Sequence, residues 1–242
     1  MRRRAACVVA LVLLSACAPS ARRYPAREPR EAEIRVLEQA VKPLVEELDP
    51  ATRAAIRNCP IGLVIIPLPT INAATGLGDA GRCPPFTLGV TEGMLRRLSP
   101  DMLRAVLAHE LGHVELGHLE ARRERGAKPA IFRPLTAAFD RRLEAEADRF
   151  AVDLLRRLEP HHPGACIALV HVLSLMAEQP LGGWLSSHPS PDGRAEAALA
   201  GCNRGWASRN GHRGPPRRDD VQGHPARRER VEAQAATRCP RM

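Results

Sequence analysis

The decapeptide "HELGHVELGH", His109 to His118, sets three histidines and two glutamates directly behind a strong helix start. Ser99 can cap a helix, Pro100 is preset for the first helical position, and Asp101 places an acid in the first turn. The spacing predicts one long helix running from there through all three histidines. Side chains four apart on a helix lie about 40° from each other, so His109 and His113 can reach a single metal ion. Glu110 lies about 100° round, near enough to meet a metal-bound water without being a ligand. On a continuous helix His118 falls about 180° from His109, and Glu115 about 200° from His113. Both are expected to turn away, towards solvent or a neighbouring helix.

A tetrahedral catalytic site needs a third protein ligand beside the two histidines. The pattern H-E-x-x-H-x-x-G-x-x-H is excluded on register, because positions 116 and 119 hold Leu116 and Leu119. "LEAEAD", on a later helix, supplies candidates. Glu144 and Asp148 are four apart and share a face, whereas Glu146 points about 200° away from Glu144.

Around this pair of helices the chain reads as one domain with a core of ordinary size, 44% apolar and 26% charged. Ile34, Leu37, Val41, Leu44, Val45 and Leu48 recur at helical spacing, with a kink expected at Pro43. "IGLVII" and "FTLGV" read as strands on either side of a loop rich in Gly, Asn and Pro. Leu143, Ala147, Phe150, Ala151, Leu154 and Leu158 form the stripe of the acidic helix. Further helices are expected from about Pro163 to Glu178 and from about Pro191 to Ala200. His161, His162 and His171 are read as structural.

Charge is concentrated at the ends. The net charge of +9 resides in Arg2, Arg3 and Arg4 and in residues 203–242, where ten Arg face four acids, so the stretch between is neutral. Residues 203–242 carry Gly, Pro and Arg without an apolar face and read as a disordered basic tail, the alternative being a patch for anionic headgroups or nucleic acid. Aromatic content of 3% does not suggest a base-stacking platform, and no nucleic-acid partner is expected.

The N-terminus "MRRRAACVVALVLLSACAPS" has the basic, apolar and small-residue parts of a secretory signal, over residues 1–16. Leu14-Ser15-Ala16-Cys17 resembles a lipoprotein box, which implies acylation of Cys17, a membrane anchor and a tether over residues 17–30. Ala18, which is not an aspartate, implies the outer membrane in proteins of that kind. An ordinary signal peptide with a coincidental cysteine is the alternative. An exported chain keeps disulfides, and Cys59 with Cys83 and Cys166 with Cys202 are the preferred pairs, leaving Cys239 over.

H-E-x-x-H followed by E-x-x-x-D resembles a gluzincin. More narrowly, "SPDMLRAVLAHELGHVELGH", "EAEADRFAVDLL" and "SHPSPDGRAEAAL", in this order, resemble the HtpX-like and CAAX-prenyl-protease-related zinc metallopeptidases over most of residues 31–202. The resemblance implies an α+β, zincin-like domain, mostly helical, with a small sheet beside the active-site helix. It implies one Zn2+ on His109, His113 and Glu144, Glu110 as general base, and Asp148 orienting a ligand histidine. His188 and Arg194 match the family's His-Pro…Arg segment, with His188 an added ligand or oxyanion stabiliser and Arg194 supporting the site from outside the ligand set. Phe86 to Val90 is implied as the edge strand that holds substrate backbone. Protein or peptide substrates, and a quality-control role in a bacterial envelope, follow from the family alone. Two rivals remain: a zinc-containing assembly factor or chaperone working with envelope assembly machinery, and a DNA-associated metallopeptidase resembling the SprT type, suggested only by the basic tail.

Overall fold

The computed structural model describes residues 26–78, 83–125, 133–160, 164–178 and 193–210. Cys17, His161, His162, His188 and Cys239 lie outside the described residues, as do the proposed signal peptide and residues 211–242 of the proposed tail. The fold is α+β and zincin-like, mostly helical with one small mixed sheet.

Helix α1, Glu31–Glu46, buries Leu37, Ala40 and Leu44, spaced as one helical stripe, and runs on past Pro43. Helix α2, Pro50–Asn58, is started by Asp49, whose carboxylate accepts from the Ala51 N–H at 2.9 Å, and by Pro50 at its first position. Only Thr52 and Ile56 of α2 are buried, so periodicity does not announce it.

Strands β1, Gly62–Ile66, β2, Ala73–Leu77, and β3, Phe86–Thr91, form a sheet in the order β1-β3-β2, with β1 parallel and β2 antiparallel to β3. The Phe86 strand is therefore central, which corrects its expected place at the edge. A strand bonded on both sides cannot take up a further one. The missed strand is β2, whose sequence Ala-Ala-Thr-Gly-Leu holds a single β-branched residue. Pairing with β3 and packing against the histidine helix make it a strand where propensity does not.

On the other side of β1, the Arg27 backbone exchanges hydrogen bonds with Ile65 at 2.8 and 2.9 Å. The Arg27 guanidinium also meets Glu33 at 2.7 Å and Glu92 at 2.9 Å. The chain is thus docked inside the stretch read as a tether.

Thr91 ends β3 and starts α3, Glu92–Arg97: its hydroxyl accepts from the Met94 N–H at 3.2 Å and donates to the Thr70 carbonyl at 2.6 Å. Helix α4, Pro100–Glu115, follows, with the Ser99 hydroxyl accepting from the Met102 N–H at 3.3 Å. Every residue from Ala105 to His113 is buried, so α4 is enclosed on all sides, by α1, β2 and two later helices.

Here the structure corrects the single long helix. Helix α4 stops at Glu115, Gly117 takes a left-handed φ of 69°, and a separate helix α5, His118–Arg125, begins. Glycine adopts that conformation without the steric penalty of a Cβ.

Helix α6, Arg133–Leu158, buries Leu143, Ala147, Ala151 and Leu154 in the expected stripe against α4. Helices α7, Gly164–Ala177, and α8, Arg194–Asn210, complete the described fold. Helix α8 continues past Cys202 to Asn210, into the stretch read as disordered tail. Disulfides join Cys59 to Cys83 and Cys166 to Cys202, the pairs preferred from sequence. Among the described residues no helix is long and apolar enough to cross a membrane.

The other glycine of the repeated word has a different task. A Cβ at Gly112 would lie 3.1 Å from Phe150 Cδ1 and 3.2 Å from the Ala147 carbonyl oxygen, so its absence sets how closely α4 and α6 approach. Valine at 112 is expected to lose about 1–3 kcal/mol by overpacking, read by urea denaturation, and to weaken metal binding by displacing α6. Unchanged stability in Gly112→Val would remove this role.

Candidate active site

Helix α4 carries His109, Glu110 and His113, and α6 delivers Glu144 and Asp148 to the same place. His109 Nε2 and His113 Nε2 stand 3.1 Å apart, with Glu144 Oε2 3.3 Å from the first and Glu144 Oε1 3.4 Å from the second. One donor atom from each of the three residues lies within 4.8 Å of the others. Two nitrogens at about 2.0–2.1 Å from a tetrahedral ion lie about 3.3 Å apart, so the spacing fits a metal. Each of the three residues is 1% exposed, leaving little water to compete with an ion.

The charges point the same way. Glu110, Glu144 and Asp148 are buried with Arg194 and beside the half-buried Arg122. With the imidazoles neutral, three carboxylates against two guanidinium groups leave one formal negative charge. A bound cation would balance it, as a protonated His109 does in the metal-free protein.

Asp148 Oδ1 lies 2.9 Å from His109 Nδ1, which favours a proton on that nitrogen and leaves Nε2 as the donor. Burial pushes the His109 pKa down, but Asp148 and Glu144 outweigh it and hold it at about 9 in the metal-free protein. Metal binding at Nε2 must therefore displace a proton. Burial alone would raise the Asp148 pKa; Arg194 and His109 bring it down to about 2.

Arg194, at the start of α8, grips Asp148 with two bonds, Nε to Oδ2 at 2.7 Å and Nη2 to Oδ1 at 2.8 Å. Its Nη1 lies 3.4 Å from Glu144 Oε2. The structure thus places Arg194 behind the carboxylates. His188 lies outside the described residues.

Glu110 belongs to the opposite side of the cluster, facing the sheet. Its Oε2 accepts from the Thr75 hydroxyl of β2 at 2.8 Å. Strand β2, not β3, borders the site, and Thr75 orients the carboxylate read as a base.

Sequence reading missed two further partners of the ligands. Arg122 of α5 donates from Nη2 to Glu144 Oε1 at 2.8 Å. His118, 3% exposed, has its Nδ1 3.0 Å from His113 Nδ1 and its Nε2 3.2 Å from Glu146 Oε2. His118 stays outside the convergent donors and meets the neighbouring helix α6 at Glu146, as expected, but the break at Gly117, the one signal in the sequence that could have revealed it, also turns its ring onto His113. Glu146 does point away from the three donor atoms, and that direction brings it to His118. Glu115 is buried as well, and its Oε1 accepts from the Asp49 N–H at 3.3 Å. Burial pushes His113 below the usual imidazole value. Burial, with His113 and Arg122 nearby, pushes His118 down to about 3.

Comparison with known proteins agrees with this geometry. The model of Peptidase family M48 matches residues 38–127, and that of Peptidase U49 matches residues 101–211. Protease HtpX of Hahella chejuensis is 59% identical over 32 residues, which are 13% of this chain and 11% of that protein. Protease HtpX of Pseudomonas putida (strain GB-1) and that of Pseudomonas entomophila are each 42% identical over 85 residues, 34% of this chain and 25% of the relative. The chain thus spans a quarter or less of the length of these relatives. No solved structure matches. The two family models overlap on α4, where the paired histidines sit, and the second of them reaches Glu144, Asp148 and Arg194; with the HtpX relatives, these matches support an HtpX-like M48 peptidase family.

Proposed function

We propose that the chain is a zinc-dependent endopeptidase of the bacterial cell envelope that removes misfolded or incompletely assembled proteins. The observation that carries the reading is the convergence of His109 Nε2, His113 Nε2 and the Glu144 carboxylate, with Glu110 beside them under β2. Two imidazole nitrogens and one carboxylate suit zinc, with a position left for the reaction. When bound, the ion supplies Lewis acidity towards water and a peptide carbonyl.

The remaining work falls to the chain. Glu110, held by Thr75, accepts the proton of the attacking water and delivers it to the leaving amine. Asp148 keeps the His109 proton on Nδ1, and Arg194 keeps Asp148 ionised and in place. Strand β2, at the margin of the described sheet beside α4, is the element suited to align a substrate backbone by strand addition.

Acylation of Cys17 would hold the domain on a membrane, facing the periplasm from the outer membrane. Loss of globomycin-sensitive processing in Cys17→Ser is the expected result, and unchanged processing would contradict the anchor.

Cleavage of casein and of envelope proteins by the soluble chain lacking residues 1–17 tests the activity. Turnover is expected to stop on chelation and to return with one equivalent of zinc. Zinc-loaded protein that binds unfolded chains without cutting them would favour the assembly factor or chaperone.

A further inference from the structure

The two ligand histidines have different partners at Nδ1: His109 has the Asp148 carboxylate, His113 another imidazole. Only one proton fits between His113 Nδ1 and His118 Nδ1, 3.0 Å apart. If His118 donated it while neutral, its Nε2 would carry a lone pair facing the Glu146 carboxylate at 3.2 Å, which is repulsive. If His118 carried both protons, a charged ring would lie in a site 3% exposed, which desolvation disfavours. With His113 Nε2 accepting a hydrogen bond from His109 Nε2 or facing a cation, the arrangement that satisfies these atoms runs one way: His118 Nε2–H donates to Glu146, and His113 Nδ1–H donates to His118. His113 Nε2 is then left with its lone pair directed at His109 Nε2 and Glu144, where the metal reading needs it.

We propose that His118 is a positioning residue of the metal centre, a neutral acceptor that, backed by Glu146, fixes the tautomer and ring orientation of His113. The proposal rests on the metal site described above. Its local origin is Gly117: on an unbroken helix His118 could not meet His113, and the left-handed residue turns α5 so that it does. Its electrostatic logic is economy of charge. A second carboxylate in the place of His118 would add a buried negative charge, whereas an imidazole supplies the acceptor and leaves the neutralising charge on Glu146, which is 34% exposed and paired with Arg142 at 3.4 Å.

The test uses the full folded domain labelled with 15N-histidine, with NMR of the metal-free form and zinc affinity by competition with a chromophoric chelator. Metal-free wild type is expected to hold the His113 proton on Nδ1. His118→Phe should move it towards Nε2 and weaken zinc binding about 10–100-fold. His118→Asn, whose amide oxygen can accept from His113 Nδ1, should restore most of both. Should His118→Phe fail to fold, Glu146→Ala reads the same link from the surface, with mixed His113 tautomers and zinc binding weakened several-fold. Zinc affinity and His113 tautomer unchanged in the variants would overturn the proposal while leaving the site intact. A wild type that binds no zinc would overturn both.

Discussion

Glu110→Gln is expected to bind zinc as wild type does and to cleave casein about 10²–10⁴-fold more slowly, the range for losing a general base. Glutamine keeps the size of the side chain and can still accept from the Thr75 hydroxyl, so the position bonded at 2.8 Å is preserved. What it lacks is the basic oxygen. Glu110 is not among the convergent donor atoms of His109, His113 and Glu144, so metal content should be unaffected. Because the side chain is 2% exposed, buffer cannot readily replace it. A Thr75→Val variant should show a smaller loss, since the carboxylate would remain but lose its orienting bond. Equal turnover by Glu110→Gln and wild type, measured at equal zinc occupancy, would falsify the assigned role.

Glu144→Gln should lose zinc affinity by more than the roughly 10–100-fold typical of removing an outer partner of a metal ligand, because an anionic donor itself is removed. The buried cluster would then hold two carboxylates and two guanidinium groups, and its net attraction for a cation would vanish. The fold is expected to persist. Arg194 keeps both of its bonds to Asp148, and Arg122, 30% exposed, can turn to solvent. The measurement is zinc affinity beside thermal unfolding: weak binding with a near-native metal-free melting temperature is the expected pair. Unaltered affinity would remove Glu144 from the ligand set.

The parts of the site that were legible in the sequence are those written within single helices. Ser99-Pro100-Asp101 marks the start of α4, the four-residue spacing of His109 and His113 places both on one face, and the stripe from Leu143 to Leu158 orients α6 so that Glu144 and Asp148 share a side. What escaped depends on the meeting of separate elements. Strand β2 owes its conformation to β3 and α4, and its own residues do not ask for it. Arg122 reaches Glu144 from α5, with no pattern linking the two in sequence. The two glycines of "ELGH" look alike locally. Yet Gly112 stays helical with α6 close against it, and Gly117 breaks the helix. That difference turns the His118 ring onto His113. The two ends of the domain show a similar limit: Arg27 is held by pairing with Ile65, and α8 runs on to Asn210 without an apolar repeat to announce it.

One zinc ion is expected on His109, His113 and Glu144. X-ray absorption at the zinc edge, on wild type loaded with one equivalent and on Glu144→Gln, measures it most directly. Two nitrogen donors at about 2.0–2.1 Å and carboxylate oxygen at about 2.0–2.2 Å are expected in the wild type, with the carboxylate contribution lost in the variant. A sulfur shell, or a spectrum unaltered by Glu144→Gln, would contradict the account.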